Sequence, residues 1–209
     1  MLSNLRIKTM PGNPAQARDI PDFGPGAARK AMAFHASFPM YSPTPFVSLP
    51  GLAGHLQVGQ VLVKDESFRF GLNAFKVLGA SYAIARELAR RLGITMEELP
   101  YPRLVSGEIR ERLGQVTFVT ATDGNHGRGV AWTARQLGLP CRVFMPAGSA
   151  RERVDNIARE GAQVEVLEQN YDAAVRHAAT LARERGHVLV QDTAWEGYET
   201  IPRWIMQGY

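Results

Sequence analysis

A doubly wound α/β architecture around a parallel sheet is what residues 116–193 of this 209-residue chain predict. Two features carry that expectation. Short runs rich in β-branched and other apolar residues alternate with longer helical patterns, and glycines close several of those patterns. Alternation of this kind gives parallel strands, right-handed crossovers and helices on both faces of the sheet.

The elements follow in order. Residues 1–26 hold several prolines and glycines and little periodicity, and read as an extended arm. "GAARKAMAFHASF" reads as a short helix, and "MYSPTPFVSLPGLAG" as proline-punctuated extended chain. "GQVLVKDE" (59–66) is a strand through Val61 and Val63 with an acidic end. Asn73 is placed to cap a helix that runs through "SYAIARELARRLG" and stops at Gly93. "VTFVTAT" is a buried strand, and "DGNHGRGVAWTARQLG" is a tight turn followed by a helix to Gly138. "CRVFMP" is a strand. "SARERVDNIAREG" is a helix with a capping box at Ser149 and Glu152 and a stop at Gly161. "QVEVLE" is a strand, and the next helix carries Val175, Ala178 and Ala182 on its apolar face. "HVLVQDTA" is the last strand. The strands near 116–121, 141–145, 163–167 and 187–191 are expected to share one parallel sheet. No fixed-period repeat or low-complexity tract occurs.

Composition excludes several classes. The 24 basic residues are scattered among 20 acidic ones, and many pair with acids on helices, which argues against a nucleic-acid binder. No stretch approaches the roughly 20 apolar residues of a membrane span, and the N-terminus lacks the apolar core of a signal peptide. The single cysteine, Cys141, cannot form an internal disulfide. It fits a buried strand and a reducing, cytoplasmic setting.

Ligands of open parallel sheets bind beyond the C-terminal strand ends. Asp123 and Asp192 both follow such strands. The turn "TATDGNHGRG" adds Gly124, Gly127 and free backbone N–H groups at a helix start, which is an anion site. An Asp before a helix is also the usual N-cap. His126 reads as structural, because no second His or Cys lies at metal-ligand spacing, and no metal is expected. The glycines do not match a dinucleotide fingerprint, and neither a Walker A motif nor a G-x-S-x-G elbow is present. Lys76 is the only charged residue in "FGLNAFKVLGA". Apolar surroundings favour a neutral amine, and a neutral lysine amine is a nucleophile toward carbonyl cofactors. A lysine snorkelling from a helix start reads equally well from this window.

"ESFRFGLNAFKVLGA" and "TDGNHGRGVAW" resemble the lysine motif and asparagine loop of fold type II pyridoxal phosphate enzymes, the tryptophan synthase β-like group. "QDTAWEGYETIPRWIMQGY" is similar to the ammonia-lyase branch of that group that acts on 2,3-diaminopropionate. The resemblance covers about residues 40–209. It implies pyridoxal 5'-phosphate as cofactor, a small amino acid as substrate, and elimination to pyruvate and ammonia by a homodimer. It also implies a division into residues 1–80, the N-terminal part of a larger α/β domain, 81–193, a small α/β domain, and 194–209, a return to the larger one. Carried over, Lys76 holds the cofactor, Phe75 packs on its ring, and Asn125 bonds its 3′-oxygen. The loop of Thr122, Asp123, Gly124 and His126 binds the substrate carboxylate. Asp123 and Asp192 are the acid/base carboxylates, expected on opposite sides of the substrate Cα. Asp123 stands where serine and threonine dehydratases carry Ser, and Leu78 where they often carry Arg. Both departures favour the lyase over a dehydratase-type enzyme, and the lysine motif disfavours a non-catalytic amino-acid-binding module. The chain has no Gly-Gly dipeptide, and the group's glycine-rich phosphate loop and pyridine-nitrogen partner lie downstream of the matched region. The resemblance therefore implies the N-terminal portion of a longer enzyme, weakly active or inactive alone, with apolar surface exposed around Trp204 and Ile205.

Overall fold

The computed structural model describes residues 20–209. Most of the expected N-terminal arm lies outside the described residues. One turn of 3-10 helix (Pro21–Phe23) leads into α1 (Pro25–Ala36), where Pro25 sits in a first-turn position that has no use for an N–H. β1 (Phe46–Ser48) and β2 (Leu62–Lys64) pair antiparallel with Val47 opposite Val63. Between them runs α2 (Pro50–Leu56). The stretch through residue 54 is therefore not wholly extended, because Pro50 opens a helix in place of breaking the chain, and β2 starts after Val61.

A kinked 3-10 segment, Glu66–Gly71, brings the chain to the site. Phe70 and Asn73 take left-handed backbone there, with φ of 48° and 54°. Asn73 does not cap a helix. α3 (Lys76–Leu92) begins three residues later with Phe75 at its N-cap and no side-chain cap, and it ends at Gly93 as expected. Asn tolerates left-handed backbone better than most residues, so the turn takes the residue the cap would have used. α4 (Tyr101–Leu104) and α5 (Gly107–Leu113) follow, the latter capped by Ser106, whose Oγ accepts from Ile109 N.

The remainder is the parallel layer: β3 (Phe118–Ala121), α6 (Asn125–Leu137), β4 (Cys141–Met145), α7 (Arg151–Ala158), β5 (Gln163–Val166), α8 (Tyr171–Arg185) and β6 (Val188–Leu189). The strand order is β5-β4-β3-β6, and every neighbouring pair is parallel. All four strands fall where the sequence places them. Alternate residues face opposite sides. Phe118, Cys141, Val143 and Met145 join one core with α3 and α6. Val119, Ala121 and Phe144 face Ala174, Ala178 and Ala182 of α8. The expected capping box at Ser149 and Glu152 is absent: Ser149 Oγ turns back to donate to Pro146 O at 2.8 Å, and Ala150 is the N-cap of α7.

α9 (Thr200–Gly208) lies across α3. A Cβ on Gly208 would stand 2.7 Å from Leu78 O, and one on Gly79 would stand 2.6 Å from Ile205 O. The two glycines let the helix backbones touch. This packing limits the apolar surface expected around Trp204 and Ile205 to the neighbouring Met206 and Tyr209, which are exposed. Ile205 is buried, and Trp204 is half-buried beneath the Arg86 guanidinium, 4.8 Å from its ring centroid. Among the described residues no helix is long and apolar enough to cross a membrane.

Candidate active site

The site is built where β3 and β6 end. Thr122, buried, closes the turn after β3: its Oγ1 accepts from Gly124 N at 3.0 Å and Gly127 N at 3.1 Å. That turn starts α6 over the C-terminal edge of the sheet. The backbone N–H groups of Asn125 and His126 have no protein acceptor among the described residues, as the first turn of an uncapped helix requires. They present a positive end to the cleft. The Asn125 side chain is exposed at the same place.

β6 is followed by Gln191 and Asp192. Gln191 is fully buried and extends the sheet with its side chain. Its Oε1 accepts from Ala121 N at 3.0 Å and Thr120 Oγ1 at 3.2 Å, and its Nε2 donates to Tyr171 Oη at 3.0 Å. Tyr198 Oη accepts from Gln191 N and donates to Leu189 O, both at 2.9 Å. The strand end is thus pinned on two sides, and Asp192 is held immediately beyond it.

Lys76 reaches this point from α3. Its Nζ donates to Asp192 Oδ2 at 2.7 Å, joining residues 116 apart in sequence. His126 lies behind the pair. Its Nε2 donates to Val190 O at 2.8 Å, and Nδ1, without a hydrogen-bond partner, is 3.7 Å from Asp192 Oδ2. Burial pushes the His126 pKa down, against the pull of Asp192. Burial by itself would raise Asp192, but nearby positive charge outweighs it and holds the carboxyl below its usual range. The charge of His126, then the hydrogen bond and charge of Lys76, are what lower it.

The structure therefore brings Lys76, His126 and Asp192 together. Asp123 stands apart from them. Its side chain is 78% exposed against 17% for Asp192. It is not the helix cap, which is Gly124. Arg153 Nη1 donates to the Asp123 carbonyl at 3.0 Å and lies 4.0 Å from its Oδ2. Phe75 is half-exposed beside Lys76 and meets Tyr209 edge-on at 4.9 Å between centroids. No cluster of three metal-ligating side chains occurs among the described residues. Sequence reasoning missed Gln191 and Tyr198. The available signal was a polar residue directly before the Asp of a strand end.

The family model described as "Pyridoxal-phosphate dependent enzyme" matches residues 38–207. The diaminopropionate ammonia-lyase of Salmonella typhimurium is 50% identical over 196 residues, which are 90% of this chain and 48% of that protein. The Escherichia coli diaminopropionate ammonia-lyase is 50% identical over 189 residues, 90% of this chain and 46% of that protein. The crystal structure of the Escherichia coli enzyme in apo form superposes with a TM-score of 0.86 at 49% identity, covering 92% of this chain and 52% of that one. The chain spans about half the length of the curated relatives it matches.

Proposed function

We propose, because the chain belongs to the pyridoxal-phosphate dependent enzyme family, that the protein carrying this sequence uses pyridoxal 5'-phosphate to eliminate ammonia from 2,3-diaminopropionate, with pyruvate as the product. When bound, the cofactor supplies an electron sink for carbanion chemistry at the amino-acid Cα. The donor set fits it. Lys76 offers a solvent-reachable amine at the end of an apolar stretch. Phe75 offers a half-exposed ring beside that amine, and Asn125 an amide without a side-chain partner among the described residues. We assign these three as covalent holder, ring neighbour and 3′-oxygen partner.

Lys76 is a nucleophile only after it loses a proton, and Asp192 Oδ2 at 2.7 Å is the acceptor in place. Asp192 holds that proton only in passing, because its carboxyl lies below the usual range despite burial. The free N–H groups of Asn125 and His126 suit the substrate carboxylate, with Thr122 and Gly124 shaping the turn that presents them. Asp123, on the rim, suits the β-ammonium group, and a charge-assisted hydrogen bond of this kind contributes about 1.5–3 kcal/mol. The two carboxylates differ in depth, so each is assigned the Cα proton of a different stereoisomer. A cytoplasmic homodimer is part of the same reading, supported by the single Cys141 and by exposed Phe46, Leu62 and Phe68.

The Lys76–Asp192 contact carries this reading. Borohydride reduction after incubation with pyridoxal 5'-phosphate, followed by peptide mass mapping, tests it. A pyridoxyl group on Lys76, with pyruvate released faster from 2,3-diaminopropionate than from serine, is the expected result. A label on another lysine overturns the site, and preference for serine overturns the substrate.

A further inference from the structure

Two arginines grip the segment that delivers Lys76, and each is seated on a poorly exposed glutamate. Arg69 holds one end through Glu66 and the Ser42 carbonyl, at 2.8 Å and 3.0 Å. Arg128 of α6 holds the other. Its Nε donates to Glu160 Oε1 at 3.2 Å, and its Nη1 donates to the Leu72 carbonyl at 3.1 Å, four residues before Lys76. Glu160, just past α7, is 7% exposed, and Arg135 Nη2 approaches its second oxygen at 2.9 Å. The next residue along α6 is in contact with α3 itself. A Cβ on Gly129 would stand 2.9 Å from Val77 Cα and 3.3 Å from the Lys76 carbonyl carbon. Neighbouring residues of α6 thus touch the chain on both sides of Lys76.

From this geometry we infer that Arg128 is a positioning residue: seated on Glu160, it fixes the Leu72–Lys76 turn so that the Lys76 amine meets Asp192 and the cofactor carbonyl in one register, with Gly129 setting the depth. The inference rests on the cofactor reading above. Neither residue touches the reacting atoms. A guanidinium serves both acceptors at once through its planar fork, whereas a lysine ammonium reaches only one of them. Releasing the Leu72 carbonyl frees the turn at Asn73, whose left-handed backbone is flanked by the bonds Leu72 N to Arg69 O and Leu78 N to Phe75 O, with none at Asn73 itself among the described residues.

The test uses borohydride trapping of pyridoxal 5'-phosphate on Lys76, titrated with cofactor, beside the melting temperature. Arg128→Met raises the half-trapping concentration about tenfold, the size of one lost charge-assisted hydrogen bond. Gly129→Ala moves it in the same direction by pushing Val77. Arg135→Met removes the other cation on Glu160 without touching Leu72, so it lowers the melting temperature and leaves trapping unchanged. Should Arg128→Met not fold, Arg128→Lys keeps a cation at Glu160 and still weakens trapping. Equal trapping shifts for Arg128→Met and Arg135→Met mean a structural role only, and no shift in Arg128→Met or Arg128→Lys also overturns the inference. Absence of trapping on Lys76 in the unaltered protein overturns the cofactor reading, and the inference with it.

Discussion

Strands of similar apolar composition in the two sheets of this molecule have opposite fates. β3, "FVTA", is buried at every position, while β1, "FVS", and β2, "LVK", are exposed at every position. Strand propensity does not separate them. The connections do. β3 is flanked by parallel neighbours on both sides and covered by α6 and α8 on its two faces, whereas β1 and β2 have only each other. The lesson is that burial belongs to the topology and not to the strand. It also locates the proposed site. Asp192 stands at the edge of the rigid sheet, and Lys76 arrives from the end of the segment that leaves the exposed ribbon.

The strongest way to break that contrast is at the carboxylates. Asp192 hangs from the pinned end of β6, and Asp123 sits on the rim. Asp192→Asn and Asp123→Asn keep volume and remove the base. Each is expected to lower turnover of one 2,3-diaminopropionate isomer by about 10²–10⁴-fold and to spare the other isomer by comparison. Assays on the separate isomers decide it. Equal losses for both isomers in both variants reduce the carboxylates to binding groups.

A second measurement compares the sheets directly. Phe118 is fully buried in β3, and Phe46 of β1 is 67% exposed. Phe118→Ala is expected to cost about 3–5 kcal/mol of stability through lost burial and a residual cavity. Phe46→Ser is expected to stay within about 0.5 kcal/mol, the usual range for an exposed position. Denaturant titration of both variants gives the two numbers. A loss at Phe46 comparable to that at Phe118 means that the ribbon is covered in solution.

Much of this was readable beforehand, and the failures share a cause. The parallel strands are β-branched runs bounded by glycine, so local pattern and final burial agree, as at Phe118–Ala121 and Cys141–Met145. Lys76 and Asp192 were readable as a suspicious lysine and a strand-end acid. Their direct contact was not, because it closes a loop of 116 residues. Asn73 and Ser149 failed where a polar side chain had two local uses, a helix cap or a turn, and the turn won. Pro50 reads as punctuation in the sequence and is a helix start in the structure. Ile205 failed because its cover is the surface of α3, reached only where Gly79 and Gly208 allow contact. Gln191 has only the weak signature of a polar residue before a strand-end Asp, and Arg128 and Glu160 have none, since their partners lie on other elements.

The mildest probe addresses the joint between the two regions, where α1 meets the start of α3. His35 is buried there, with Nε2 3.0 Å from Leu78 O. Burial pushes its pKa down to about 4, the hydrogen bond to Leu78 resists, and the Arg69 charge adds to the fall. In the unfolded chain the ring titrates near 6.5. A folded-state pKa below the unfolded one means that stability is complete above about pH 6.5 and drains away as the pH falls toward 4, because only the unfolded chain gains the proton. The loss amounts to about 3 kcal/mol across that window. Asp192 is also depressed, but as a carboxylate it adds its own loss only below about pH 4, so the two are separable. Burial lowers His126 as well, so the comparison is made between the His35 variant and the unaltered protein, which share that contribution. His35→Gln keeps a donor for Leu78 O and cannot titrate. Its unfolding free energy between pH 6.5 and 4 is expected to fall less steeply than that of the unaltered protein, with both curves converging in slope above pH 7. Identical slopes in the acid window would place the titrating group elsewhere and leave His35 as packing alone.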